Sequence, residues 1–376
     1  MISLANKVIL PGQTIGIIGG GQLGRMMALS AKAQGFRIAV LDPTEDCPCG
    51  QVADITIKGD YDDIEAIQKL AKVSDVITYE FENIDAECLQ WLDENTYVPQ
   101  GVKLLEITQD RIKEKVAIQN AGVEVAPYAV IEKEADIYLH IKELGLPAVL
   151  KTARGGYDGK GQFVIRDEKE VTEAALLLQA GTCVLEKWVP FEKEISVIVC
   201  RNANGETAVF PVGENIHREN ILHETIVPAR ISEKAKEAAV EKAIQLAQSF
   251  QLVGTLAVEM FITSDDLYVN ELAPRPHNSG HYSIEACETS QFEQHIRAVC
   301  NWPLANTELL KPAVMVNILG EHQDGVIEKI PDAKDWKIHL YGKKEAKLKR
   351  KMGHVTLLRA SIEEALLEIE QSEIWQ

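Results

Sequence analysis

Apolar and polar positions along the chain switch between strand-like and helix-like periods from residue 14 onward. Thr14-Ile15-Gly16-Ile17-Ile18 is an unbroken apolar run that predicts a buried strand. Arg25–Gln34 carries helical spacing, and Arg37–Asp42 predicts a second strand, so the chain opens as a βαβ unit. Ile55 continues the alternation, Asp62–Lys72 predicts a helix, and Val76–Glu80 predicts another buried strand that ends in Phe81-Glu82-Asn83-Ile84. Strands buried on both faces and separated by helices belong to a parallel α/β sheet. Acids at the carboxyl end of such a strand sit where these sheets bind ligands. A solvated loop carboxylate explains Glu80 equally well, and Glu82 less well.

The composition shifts near 104–108. Thr108 is placed to cap a helix over Gln109–Ala121, with Arg111 in its first turn. A basic residue there opposes the helix dipole, so Arg111 either reaches an anion or is an ordinary surface arginine. Val125–Ile131 predicts a strand and Glu134–Leu144 a helix. Between Pro147 and Val164, two apolar runs flank Gly155-Gly156-Tyr157-Asp158-Gly159-Lys160-Gly161. Four glycines in those seven positions let backbone N–H groups approach an anion closely, and Lys151 and Lys160 add positive charge. This predicts a phosphate-gripping loop between two strands. Glu168–Gln179 predicts a helix and Cys183–Val189 an extended segment. Glu194–Arg201 and Thr207–Val212 predict a strand pair around the Asn202-Ala203-Asn204-Gly205 turn. His217 follows in a polar loop, then an amphipathic helix over Glu233–Leu252.

The next two strands, Thr255–Ile262 and Leu267–Leu272, flank the turn Thr263-Ser264-Asp265-Asp266. A hairpin centred on Asp265 places Glu259 opposite Glu271. Directly opposed residues have Cβ atoms about 4.5–5.5 Å apart, and like charges there are destabilising. A cation between the two carboxylates removes that penalty, and hard oxygen ligands suit Mg²⁺; a shifted register would instead send one glutamate to solvent. Simple alternation puts Asn270 on the face opposite Glu271, so bringing both to one site requires a bulge or a strand end. The loop Ala273–His281 leaves this hairpin with its path fixed by Pro274 and Pro276, concentrating Arg275, His277 and Asn278 beside the proposed metal. His277 and His281 have the spacing of a helical zinc pair, but Pro276 and Gly280 oppose that helix.

The tail, a third small unit, predicts short strands over Val314–Leu319, Lys337–Tyr341 and His354–Leu358. Ser361-x-x-Glu364 is a capping box opening a last helix, Ile362–Gln371. Lys343 with Lys347, Lys349, Arg350 and Lys351 forms the most basic patch, either a solvated turn or a pocket for an anion.

Composition narrows the partners. With 376 residues the chain has room for two to three domains. The balance of 57 acidic to 39 basic residues, net −18, argues against nucleic acid or anionic membrane as the main partner. No window reaches eighteen uninterrupted apolar residues and the N-terminus shows no cleavage-site signature, so a cytoplasmic protein is expected. Cysteines at 47, 49, 88, 183, 200, 287 and 300 are odd in number and lack CxxC spacing, against a disulfide framework or a zinc site. Gly19-x-Gly21-x-x-Gly24, with Asp42 close to the distance expected of a ribose-binding acid, matches the dinucleotide fingerprint. Alone it would make the chain a nicotinamide-dependent dehydrogenase, although the same glycines serve any strand that turns tightly into a phosphate-binding helix.

A dehydrogenase has no need of a second glycine-rich loop or an opposed glutamate pair. Nor is the second loop a Walker A motif, since Gly161 follows Lys160 and a strand comes next. A mobile strand–loop–strand over the phosphates with metal-binding acids on a separate hairpin resembles the ATP-grasp superfamily. GGGQLGRM at 19–26, YEFENI at 79–84, GGYDGKGQ at 155–162, NELAPRPHNSGH at 270–281 and YGK…RKMGH at 341–354 resemble the bacterial N5-carboxyaminoimidazole ribonucleotide synthases, nearly along the full length. The resemblance implies a mixed α/β and α+β protein: a Rossmann-like preATP-grasp domain over 1–104, a two-lobed ATP-grasp domain over 105–304 with a lid lobe near 125–185, and a small β-rich C-terminal domain over 305–376. Such synthases are generally homodimers. They join ATP and bicarbonate into carboxyphosphate, which carboxylates the exocyclic amine of 5-aminoimidazole ribonucleotide.

Carried over residue by residue, the resemblance gives Arg111 and Lys151 to the nucleotide phosphates and Gly156, Tyr157, Asp158, Gly159, Lys160, Gly161 and Gln162 to the lid loop. Glu186, Lys187, Trp188 and Val189 would hold the adenine edge and Glu194 the ribose, with His217 and Asn270 also in the nucleotide site. Glu259 and Glu271 would carry Mg²⁺. Arg275 and His277, with Lys151, would be the catalytic set, and Gln22, Leu23, Glu82, Tyr157, Asn278, Lys343 and Arg350 would hold the ribonucleotide. Tyr157 and Asp158 would link lid closure to the acceptor. Rival readings are a formate-using glycinamide ribonucleotide transformylase, a biotin carboxylase, the dehydrogenase, or a non-catalytic nucleotide-binding regulator.

Overall fold

The computed structural model describes residues 7–156, 159–264 and 266–375. Among these residues the strands form three sheets. The first holds β1 (Thr14–Ile18), β2 (Arg37–Asp42), β3 (Ile55–Lys58) and β4 (Val76–Tyr79), all parallel, in the order β3-β2-β1-β4. Ile15, Ile17 and Ile18 are fully buried because helices cover both faces. Gln22–Ala33 packs Met27 and Ala31 on one face, and Ile64–Val73 packs Ile67 and Leu70 on the other. The Gln291–Val299 helix, far away in sequence, adds Phe292 and Ile296 to the first face and so ties this layer to the rest of the molecule.

The second sheet is the lid lobe: β5 (Tyr128–Ile131), β6 (Ala148–Thr152), β7 (Gln162–Ile165) and β8 (Cys183–Lys187), antiparallel in the order β5-β8-β6-β7. The period of two sorts its side chains. Ala148, Leu150, Cys183 and Leu185 pack with Ile137 and Ile141 of the Glu134–Leu144 helix. Val149, Lys151 and Glu186 point the other way, toward a cavity. Lys151 pairs with Gln162, so the glycine-rich loop joins two adjacent strands, as the sequence predicts.

The third sheet contains β9 (Lys193–Arg201), β10 (Thr207–Val209), β11 (Gly213–Arg218), β12 (Ile221–Val227), β13 (Gly254–Ile262), β14 (Leu267–Ala273), β15 (Ala313–Leu319), β16 (Lys337–Leu340) and β17 (Lys351–Leu358). Its order is β14-β13-β9-β11-β12-β15-β17-β16, with β10 paired to β9. The helix Glu233–Ser249 buries Ala239, Ala243 and Leu246 against it. The tail strands are not a separate sheet, as a third small unit would suggest, because β15 pairs with β12 from Val227↔Ala313 to Glu224↔Val316.

Local details differ from expectation where capping was misread. The helix expected from Gln109 starts at Arg111, and Asp110 caps it by accepting from the Ile112 and Lys113 amides. Thr108 instead ends the preceding Lys103–Thr108 helix, its hydroxyl donating to Leu104 O. Residues 168–180 form three short turns of helix and 3₁₀ helix rather than one helix. The last helix, Ile362–Gln371, falls where its capping serine predicts, with Ser361 accepting from the Glu364 amide.

Candidate active site

The three sheets converge on a cavity of about 1020 Å³. One wall is the lid sheet, the floor is the β13–β14 hairpin, and the third side is the end of β4 with the glycine turn after β1.

At the hairpin, Glu259 faces Glu271 directly, as counting from the turn predicts. Near the turn the register is one residue shorter, with Met260 opposite Val269. The difference is absorbed by a bulge whose extra residue is Asn270, and a bulge re-aims the side chain it carries. The requirement that Asn270 and Glu271 serve one site is met this way: Lys151 Nζ donates to Asn270 Oδ1 at 3.4 Å, while Arg111 Nη1 reaches Glu271 Oε2 at 3.4 Å. Asp265, on which that count was centred, lies outside the described residues.

The two carboxylates differ in charge state. Burial and the neighbouring Glu271 push the Glu259 carboxyl well above its ordinary range. Burial also opposes ionisation of Glu271, but Arg111, Lys151 and a hydrogen bond from Glu259 outweigh it and hold its pKa down. The environment thus favours the protonated form of Glu259 and the ionised form of Glu271. Two opposed, hydrogen-bonded carboxyls backed by cations fit a hard divalent ion whose remaining ligands are phosphate oxygens. Among the described residues, no group of three or more His, Cys, Asp or Glu side chains forms a metal cage.

Behind Lys151 lies a buried ion cluster. Glu186 accepts from Lys151 Nζ at 3.0 Å through one oxygen, and Lys115 Nζ lies 3.0 Å from the other. Burial pushes Glu186 upward, yet the two lysines hold it down at about 2. The side chain of Glu186 is thus committed to lysines, and the Lys187 and Trp188 amides donate to Pro127 O and Pro147 O, which leaves the Val189 amide as the segment's donor toward a base. Trp188 and Val189 line the cavity beside it. Farther along the same wall His217 Nδ1 lies 2.6 Å from Glu194 Oε2.

Toward β4, Arg275 Nε lies 2.8 Å from Glu82 Oε1. His277 Nδ1 accepts from the Ser279 amide, which puts the ring proton of the neutral imidazole on Nε2, 3.5 Å from Glu259 Oε1. Burial, then Arg275 and Lys351, hold its pKa well below the ordinary histidine value. His281 points elsewhere, onto the His354 ring at 4.9 Å, so the two histidines do not converge on a zinc ion. Asn278 exchanges two amide hydrogen bonds with Asn317 of β15, at 2.8 and 3.0 Å.

The turn after β1 is closed from within. Glu80 accepts from the Gly21 and Gly24 amides, the latter at 2.6 Å, and Asp42 accepts from the Gly20 amide at 2.7 Å and from the Tyr61 hydroxyl at 2.6 Å. Glu80 is therefore not a solvated carboxylate: it occupies the anion seat at the helix N-terminus while also lining the cavity. A dinucleotide would have to displace it, and Asp42 has no free face for a ribose. Gln22, Leu23 and Glu82 still line the cavity.

The remaining candidates divide. Gly156, Gly159, Lys160 and Gln162 line the cavity; Tyr157 and Asp158 lie outside the described residues. From the tail it is Lys351 that reaches the cavity wall. Lys343 donates to Lys351 O at 2.7 Å and is lowered to about 8 by burial and by Arg350, while Arg350 donates to Glu345 O. Sequence reasoning passed over Lys115, Glu114 and Asn317, and named Lys351 only as one member of the basic patch. Lys115 had one faint signal, its position one helical turn after Arg111. Glu114 lines the cavity, accepts from the Leu272 amide, and is raised to about 8 chiefly by burial.

An open strand–loop–strand facing paired acids and lysines defines an ATP-grasp enzyme. Residues 116–292 match the ATP-grasp domain, 12–109 the ribonucleotide synthetase preATP-grasp domain, and 313–368 the phosphoribosylaminoimidazole carboxylase C-terminal domain. The chain is 57% identical over 367 residues to the N5-carboxyaminoimidazole ribonucleotide synthase of Bacillus subtilis strain 168, covering 97% of each. It superimposes with a TM-score of 0.96 and 61% identity on an ADP complex of an N5-carboxyaminoimidazole ribonucleotide synthetase, covering 98% of both chains. The Aspergillus clavatus synthase in complex with ADP and 5-aminoimidazole ribonucleotide matches at 30% identity and a TM-score of 0.91, over 97% of this chain and 98% of that one. The chain belongs to the N5-carboxyaminoimidazole ribonucleotide synthase family.

Proposed function

We propose that this chain uses ATP and bicarbonate to carboxylate 5-aminoimidazole ribonucleotide to its N5-carboxy derivative in purine biosynthesis, releasing ADP and phosphate. The observation that carries the reading is the Glu259–Glu271 pair facing Lys151 and Asn270 beneath the glycine-rich loop, in a cavity that also holds Arg275 and His277. Glu259 and Glu271 would hold Mg²⁺, which neutralises phosphate charge when bound. Arg111 and Lys151 bind nucleotide phosphates and oppose the charge that builds on the transferring phosphoryl group. The backbone of 187–189 takes the adenine, Glu194 and His217 the ribose end.

Bicarbonate oxygen takes the terminal phosphoryl group and ADP leaves; the acceptor amine then attacks the carboxyl carbon, and phosphate departs, taking up the proton the amine gives up. Arg275 orients the anionic carboxyl donor. His277, neutral with its proton on Nε2, acts as a hydrogen-bond donor to a carboxyl oxygen rather than as the base for the amine. The loop over Gly156–Gln162 excludes water from the labile mixed anhydride. Gln22, Leu23, Glu82 and Asn278 form the acceptor's side of the cavity, with its phosphate toward Lys343, Arg350 and Lys351. We place the protein in the cytoplasm as a homodimer and divide it at 1–104, 105–304 and 305–376. Among the described residues no helix is long and apolar enough to cross a membrane.

The test is incorporation of labelled bicarbonate with ATP and 5-aminoimidazole ribonucleotide. Acceptor-dependent label in an acid-labile product supports the reading. ATP turnover stimulated by formate and glycinamide ribonucleotide instead would overturn it.

A further inference from the structure

We propose that Lys115 is a positioning residue for the nucleotide: it satisfies the charge of Glu186, so that the charge of Lys151 is left for the phosphates. The inference deepens the reading of Lys151 as a phosphate ligand and rests on it.

Lys115 contacts no cavity surface and is 1% exposed, so it is no ligand itself. It comes from the Arg111–Asn120 helix and meets the lid sheet, with its ammonium 3.0 Å from Glu186 Oε1 and 5.5 Å from the Tyr128 ring centre. Lys151 takes the other oxygen of the same carboxylate at 3.0 Å, while its ammonium also reaches Asn270 beside Glu271. The cluster is thus two cations on one anion, a net charge of +1. Without Lys115 it would be a neutral Lys151–Glu186 pair. An incoming phosphate would then compete with a buried carboxylate for Lys151. The interaction of buried charges is strong enough to decide that competition, since one unit charge nearby in a low-dielectric site changes affinity by about tenfold or more.

Burying a lysine is costly and is tolerated when it is paired. The helix also carries Arg111 one turn earlier, which faces Glu271. One helix face therefore sets the charge of both the carboxylate behind Lys151 and the carboxylate of the metal pair.

The experiment is a charge-balance cycle read by ADP and ATP titration and by steady-state kinetics. Lys115→Met is expected to weaken nucleotide binding and raise KM for ATP by at least about tenfold, with KM for the aminoimidazole ribonucleotide changed less than threefold. In Glu186→Gln the buried Lys115, left without its carboxylate, would give up its proton and leave a local charge of +1, the same as in Lys115→Met/Glu186→Gln, so the two affinities should match within about threefold. Lys115→Arg, which keeps the charge, should recover most of the loss. Unchanged nucleotide affinity in Lys115→Met overturns the inference, as does an equal loss in the Glu186→Gln background. Should Lys115→Met fail to fold, the comparison of Glu186→Gln with the double variant decides alone: agreement supports the inference and a further tenfold loss overturns it. A native chain that does not bind ADP at all would overturn the ATP-grasp reading instead, so the two failures are distinct.

Discussion

Two glycine-rich turns in this chain carry nearly the same signal and end in opposite states. The turn over Gly19–Gly24 opens a helix whose N-terminal amides should attract an anion, and the chain supplies that anion itself through Glu80 and Asp42. The loop over Gly155–Gly161 joins two strands, and its described residues Gly156, Gly159 and Lys160 line a cavity with Lys151 at its base. Glycine shows where backbone N–H groups can gather. Which partner they meet is decided by residues tens of positions away.

The largest expected effect lies on the open side. Glu271→Ala should cut ATP-dependent carboxylation by about 10³-fold or more, since paired acids holding a metal contribute several kcal/mol to phosphoryl transfer. The protein should stay folded by circular dichroism; retained turnover would remove the distinction between the two turns. On the closed side, Glu80→Ala should leave nucleotide affinity unchanged and lower stability by about 2–4 kcal/mol in urea unfolding, because two buried amides lose their acceptor. Saturable quenching of NADH fluorescence by either chain would contradict the closed description.

Exchanging single glycines sharpens the contrast. A Cβ at Gly24 would lie 2.6 Å from the Gly19 carbonyl oxygen, so Gly24→Ala should cost about 1–3 kcal/mol of stability. Gly159 has φ +78° and its Cβ would meet the Asn220 side chain at 2.6 Å, so Gly159→Ala should act on KM for ATP, about fivefold, with little change in unfolding.

The smallest effect is in protons. Glu80 and Glu259 are both raised by burial, but only Glu259 faces a second carboxylate across which a cation could take a proton's place. Metal–nucleotide affinity should therefore rise with pH from the ordinary carboxylate range near 4.5 up to the raised value of Glu259, with proton release visible in calorimetry across buffers of different ionisation enthalpy. Glu259→Gln should abolish the release, whereas Glu80→Gln should not.

Much of the site could be read from spacing. The Glu259–Glu271 pairing follows from symmetry about a turn, and the need for a bulge at Asn270 follows from alternation. Lys151 could be placed because it ends a strand beside a glycine loop. The partner of Glu80 was not legible: a carboxylate at a strand end looks the same whether it faces solvent or caps a turn sixty residues earlier. Lys115 was hidden for a different reason, since in the run Arg111-Ile112-Lys113-Glu114-Lys115 alternating charges read as a solvated helix face. Only the approach of β8, seventy residues on, makes it interior. Capping failed at Thr108 because Asp110 competes for the same role two residues later.

The continuity of the third sheet has a consequence for how the molecule can be dissected. The tail could be mistaken for a detachable module, yet β15 completes the hydrogen bonding of β12, whose seven residues are all buried. Ending the chain near residue 305 would bare the Glu224–Val227 stretch of that strand as an unpaired edge, the kind that recruits other chains. The C-terminal strands thus protect the enzyme against self-association as well as supplying Lys351 and Asn317 to the cavity side, so loss of the tail would be felt first as insolubility and only then as lost catalysis.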